Sequence, residues 1–119
     1  MGEQGELVVI NFLKKHNYKI LRKNWRIKSG EIDIVAIENK TLVFCEVKTR
    51  KLVPKSYYSP LDSVTHKKMQ KLSYLISNFK KSNRILLKNL KLNDYRLDLF
   101  AVWKQNISSW WIEHQVDVS

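Results

Sequence analysis

The stretch GEIDIVAIENKTLVFCEVKTRK, residues 30–51, constrains the fold more than any other part of the chain. Two β-branched runs flank Asn39-Lys40, so the segment reads as a hairpin. A two-residue loop pairs Glu38 with Thr41, and a four-residue loop pairs Ile37 with Leu42. Both loops give one register. That register sets Asp33 opposite Glu46 and Glu31 opposite Lys48. A slip of one residue would mix polar and apolar faces, so the pattern selects its own pairing. One face then carries Ile32, Ile34, Ala36, Val43, Cys45 and Val47. The other carries Val35, Ile37, Leu42 and Phe44 near the turn, then Glu31, Asp33, Glu46 and Lys48 at the open end. The turn end is expected to be covered on both faces, and the charged end to open into a cleft.

Two carboxylates facing each other across a sheet repel by a few tenths to about 1 kcal/mol when solvated, and by more when buried. Such a pair persists where a proton or a divalent cation is shared between them. Carboxylate oxygens suit Mg²⁺ or Mn²⁺, ions that commonly act on phosphates. Lys48, on the face of Glu46, would then orient a water or stabilise developing negative charge. The competing reading is a cross-strand Glu31–Lys48 ion pair at a sheet end, with Asp33 and Glu46 merely solvated. Spacing alone does not separate the two.

The remaining pattern predicts a mixed α/β architecture: a central mixed sheet flanked by helices. EQGELVVINFLKKH reads as a helix whose apolar face, Ile10 and Leu13, continues from Glu6. YKILRKNWRI reads as a strand ended by Ser29-Gly30. SPLDSVTHKKMQKLSYLISNFKK reads as a helix capped by Ser59, with Leu61, Val64, Met69, Leu72, Leu75, Ile76 and Phe79 on its apolar face. NRILLKNLKLND is ambiguous, and YRLDLFAVW and SSWWIEHQV read as strands. A length of 119 residues fits one domain, 1–119.

The chain has 22 Lys and Arg against 11 acids, a net charge of +11. That balance favours a polyanionic partner, nucleic acid first and an anionic membrane second. The lone Cys45 excludes an intramolecular disulfide and a cysteine-based zinc site. No signal peptide is read at MGEQGE, and LVVINFL is too short to span a bilayer. A cytoplasmic setting away from membranes is therefore expected.

The GEID…CEVK pairing resembles the PD-(D/E)xK signature of restriction-endonuclease-like nucleases. Asp33 stands for the first acid, and Glu46 and Lys48 for the (D/E)xK element. More closely, the chain resembles the YraN-type family of small endonuclease-like bacterial proteins, which are similar to archaeal Holliday-junction resolvases. GEQGELVVINFLKKHNYKILRKNWRIKSGEIDIVA, FCEVKTR, VTHKKMQKL and YRLDLFAV carry the resemblance in family order. It implies a restriction-endonuclease-like fold, with Mg²⁺ or Mn²⁺ held by Asp33, Glu46 and the Val47 carbonyl, and Lys48 as the catalytic lysine. Glu6 matches a helical acid near the metal, or is an ordinary acid at a helix start. Glu31 belongs to the matched GEID without a settled role. The implied activity is a metal-dependent DNA endonuclease, acting on duplex or on branched DNA such as four-way junctions. A homodimer and DNA-recombination proteins are among the partners the resemblance admits. The competing function is a non-catalytic nucleic-acid-binding or accessory protein that keeps the fold. Two departures are the Ile32 that replaces a proline and the irregular segment 80–94.

Arg50, Lys51 and Lys55 follow the site strand and are expected to meet phosphates. Lys67 and Lys68, beside His66, are either further phosphate contacts or a solvated charge run. Gln70 and Tyr74 read as helix-surface polar residues, Asp98 and Arg96 as a structural ion pair, and His114 as a satisfied strand histidine. Trp103, Trp110 and Trp111 read by default as core.

Overall fold

The computed structural model describes residues 2–51 and 65–118. Helix α1 (Gly2–Lys15) leads into strands β1 (Lys19–Ile27), β2 (Gly30–Glu38) and β3 (Thr41–Lys51). Helices α2 (His66–Ser82) and α3 (Arg84–Asn89) then precede β4 (Asp94–Lys104) and β5 (Trp110–Gln115). The five strands form one sheet in sequence order. β1–β2, β2–β3 and β4–β5 are antiparallel, and β3–β4 is parallel. A parallel pair needs a long crossover, and the segment containing α2 and α3 supplies it.

From the turn to Ile34 the hairpin takes the register its pattern demands, and the expected Asp33–Glu46 and Glu31–Lys48 pairings lie beyond the last paired residues. Glu38 pairs with Thr41, and the ladder runs to Ile34 opposite Cys45. Asn39 holds the turn with φ 54°, a left-handed conformation that asparagine tolerates better than most residues. The turn before it uses Lys28 and Ser29, and Gly30 is already the first residue of β2, paired with Ile27.

Among the described residues a core forms under α1 and another under α2, and Leu99, Ala101 and Trp103 make a third, smaller cluster. α1 contributes Val9, Ile10 and Leu13, which pack with Ile34, Ala36, Val43, Cys45, Phe100 and Val102. α2 contributes Leu72, Leu75, Ile76 and Phe79, which pack with Val35, Leu42, Phe44 and Leu97. Ile32 corrects the sequence reading: it lies in the α2 core with Val35, not with Ile34 and Ala36. Strand side chains alternate, so residues 32 and 35 share a face only if alternation breaks between them. The β2–β3 ladder ends at that same point.

The ambiguous segment forms α3 and a tight exit, with Lys91 at φ 58°. Among the described residues, α2 starts at His66, and Thr65 caps it by accepting a hydrogen bond from the Lys68 N–H at 3.1 Å. The predicted cap Ser59, together with Leu61, Val64 and Lys55, lies outside the described residues. Trp103 is core, whereas Trp111 is 59% exposed, so the tryptophans divide between core and surface. No helix among the described residues is long and apolar enough to cross a membrane.

Candidate active site

The site forms where β2 and β3 part. Beyond the Ile34–Cys45 pair, the Val47 N–H donates to Asp33 Oδ2 at 2.8 Å, a side chain taking the place of a strand carbonyl. Glu46 is buried beside Asp33. Burial first, and the adjacent Glu46 second, push the Asp33 carboxyl up to about 8, against the opposing pull of the Val47 N–H. The shift favours a proton shared by the Asp33–Glu46 pair when no cation is bound.

α1 brings Glu6 to the same place. The helix lies so close to β3 that a Cβ on Gly5 would collide with Thr49 Oγ1. Only glycine permits that approach, and the next residue is Glu6. Carboxylate oxygens of Glu6, Glu31 and Asp33 lie within 4.8 Å of one another. Asn24 links two of them, donating from its side-chain amide to Glu6 at 2.8 Å and to Glu31 at 2.7 Å. It does so from φ 53° within β1. Glu31 also pairs with Arg26 at 2.8 Å. Arg26 and Asn24, not Lys48, are therefore the partners of Glu31, and the predicted cross-strand Glu31–Lys48 pair gives way to them.

On the α2 side, Lys68 Nζ meets Glu46 Oε2 at 2.9 Å. Lys68 thus belongs to the acid cluster and not to a solvated charge run. Its backbone N–H closes the helix cap while its side chain reaches β3. The Lys48 amine lies beside that of Lys68. That contact first, and burial second, lower the Lys48 pKa. Burial works against the charge of Lys68, but its contacts with Lys48 and Glu46 outweigh it and raise its pKa.

Not every candidate joins the cluster. Arg50 is exposed at the end of β3, opposite Trp103 of β4, and Lys51 ends that strand. Lys67 is exposed on α2. Gln70 contacts His66 at 3.3 Å on the helix surface, and Tyr74 is 57% exposed. Asp98 is fully buried elsewhere, held by Arg96 at 3.0 Å, His114 at 2.8 Å and the Asp117 N–H at 2.9 Å. Burial alone would raise its pKa, but these donors prevail and lower it. Arg96 extends the network to Glu38 and the Tyr18 hydroxyl, both at 2.9 Å. This is a structural tie between β4, β5 and the hairpin.

Sequence reasoning missed the parts played by Asn24, Arg26 and Lys68. The one local signal for Asn24 is an asparagine inside the cationic run RKNWR.

Fold and site together define a small basic α/β protein whose central hairpin delivers carboxylates and lysines to one end of a mixed sheet. The family model described as "Uncharacterised protein family UPF0102" matches residues 5–102, and the chain belongs to that family. A UPF0102 protein of Paenarthrobacter aurescens is 34% identical over 114 residues, which cover 96% of this chain and 88% of the relative. One from Alkaliphilus metalliredigens is 36% identical over 102 residues, covering 86% and 83%. A third, from Caldicellulosiruptor bescii, is 52% identical over 68 residues, which span 56% of that relative.

Proposed function

We propose that the protein is a metal-dependent DNA endonuclease with a restriction-endonuclease-like fold, hydrolysing phosphodiester bonds in duplex or branched DNA. The observation that carries this reading is the gathering of acids at one sheet end: Glu6, Glu31 and Asp33 oxygens lie within 4.8 Å of one another, and buried Glu46 beside Asp33 is held by Lys68 at 2.9 Å. Perturbed carboxyls beside cations in a cleft are a common mark of function. The donor set is all oxygen and suits Mg²⁺ or Mn²⁺. Asp33 and Glu46 would hold the ion, with Glu6 and the Val47 carbonyl completing the set. When bound, the ion would supply Lewis acidity at a phosphate oxygen.

The chain's own residues account for the rest. Lys68 fixes Glu46 and carries positive charge next to Lys48. Lys48, beside Glu46, orients the attacking water and stabilises the negative charge that develops on the phosphate. Asn24 and Arg26 hold Glu31 and Glu6 away from free rotation. Arg50 and Lys51, on the strand that carries Glu46, would meet flanking phosphates, and the net charge of +11 supports a DNA partner.

The test is incubation of the protein with linear, flapped and four-way-junction DNA, with and without Mg²⁺ or Mn²⁺, beside Asp33→Asn. Cleavage that needs the ion and is lost in Asp33→Asn is expected. Binding without cleavage of any DNA form would replace this reading with the non-catalytic nucleic-acid-binding one.

A further inference from the structure

A second site lies at the opposite end of the hairpin. A cavity of about 550 Å³ opens there between the β2–β3 turn, α2, α3 and the start of β4. Lys40, Lys80, Arg84, Lys88 and Lys91 line it, with Asp94 as the one carboxylate among the lining residues. None of these five cations forms an ion pair among the described residues. Lys80 instead lies 3.7 Å from the centre of the Tyr95 ring. Arg84 and Lys88 stand four residues apart on α3, where like charges repel. Lys91 adds a further cation from a left-handed backbone position at φ 58°. There the Leu92 N–H returns to the Leu87 carbonyl at 3.0 Å, a helix ending that ordinarily selects glycine. The chain thus gathers unneutralised positive charge around one concavity, even at a position where lysine is conformationally disfavoured.

The lining is not uniformly polar. Leu42, Leu87 and Leu92 provide apolar surface, and Tyr95, 46% exposed, provides an aromatic ring. Cations around an apolar and aromatic lining suit a phosphate joined to a flat base. The volume accommodates one nucleotide, and an unpaired one enters without the cost of a few kcal/mol that a paired base pays to unstack and unpair. α2 connects the two sites: Lys68 contacts Glu46, and Lys80 lies twelve residues further on, about 18 Å along a helix. A few nucleotides of one strand span that distance.

We propose that this cavity is a second nucleic-acid site, which holds an unpaired nucleotide through its phosphate and its base. The proposal does not depend on cleavage, because it uses no residue of the carboxylate site. Its test is a fluorescence anisotropy titration of the full chain with fluorescein-labelled hexathymidylate in EDTA. Wild type is compared with Lys91→Gly and with the Arg84→Ala/Lys88→Ala double variant, with thermal melts alongside. Glycine suits the backbone at position 91, so Lys91→Gly should keep or raise the melting temperature and still bind roughly three- to tenfold more weakly. The double variant should bind at least about tenfold more weakly, and each lost contact should flatten the salt slope by about 0.7. Wild-type affinity and slope in both variants would overturn the assignment. So would an abasic hexamer that binds as tightly as hexathymidylate, or inorganic tripolyphosphate that displaces the oligomer at equal charge. A protein that cuts no DNA would sink the endonuclease reading and leave these results standing.

Discussion

Asp33→Asn isolates the strain at the centre of the site. The Asp33 carboxyl titrates at about 8 in the folded chain against an ordinary 3.8, so the folded state holds its proton more tightly than the unfolded state. Stability from this group is complete below about pH 4 and is lost as pH rises toward 8. Each pH unit in that window costs about 1.4 kcal/mol, which gives about 4 kcal/mol at pH 7 as an upper bound. Asp33 is only partly buried and shares the interaction with Glu46, so solvent screening and proton sharing should reduce the effect to about 2 kcal/mol. Asparagine mimics the protonated acid. Its carbonyl can accept from the Val47 N–H, and its amide can donate to Glu46. Asp33→Asn should therefore be more stable than wild type in EDTA at pH 8, and the gap should close by pH 4. Urea titrations of both proteins across pH 4–9 measure it, and their difference cancels the other titrating groups. Mg²⁺ or Mn²⁺ at a hundred times its Kd should stabilise wild type by about 2.7 kcal/mol and largely spare the variant. An Asp33→Asn protein less stable than wild type at pH 8 without metal would refute the repulsion on which the site is argued.

Lys48→Ala should lower Mg²⁺-dependent cleavage by about 10² or more while leaving DNA affinity in Ca²⁺ nearly unchanged; equal cutting by wild type and variant in single-turnover assays would remove Lys48 from the chemistry. Asp98→Asn should cost about 3 kcal/mol in urea titration, because it strips the buried carboxylate from Arg96 and His114. The lowered pKa of Asp98 gives stability that is present above the ordinary carboxylate range and lost on acidification, so this variant should show a shallower fall in stability at low pH. Gly5→Ala should destabilise by about 1–3 kcal/mol through its collision with Thr49, and Thr49→Ala in the same chain should restore part of the loss in a double-mutant cycle.

The hairpin register was legible in residues 30–51 because side chains on a strand repeat every two residues, so only one pairing separates apolar from charged positions. The faces of α1 and α2 were legible for the same kind of reason, through helical spacing of Ile10 and Leu13 and of Leu72, Leu75, Ile76 and Phe79. That register brings Asp33 and Glu46 near each other just beyond its last pair, Ile34–Cys45. What the sequence did not carry is where alternation fails. Ile32 crosses to the α2 core because β2 leaves the β3 ladder at Ile34, and a carboxylate–amide contact between Asp33 and Val47 replaces the backbone pairing. Periodicity describes an unbroken strand and is blind to such a break. Tertiary structure alone also chose the partners. Asn24 reaches Glu6 and Glu31, Arg26 takes Glu31, and Lys68 takes Glu46, because helix docking and strand twist set which long side chains meet. The cavity lined by Lys40, Lys80, Arg84, Lys88 and Lys91 arises in the same way: the turn of a hairpin and the end of a crossover converge only once the parallel β3–β4 pair has formed.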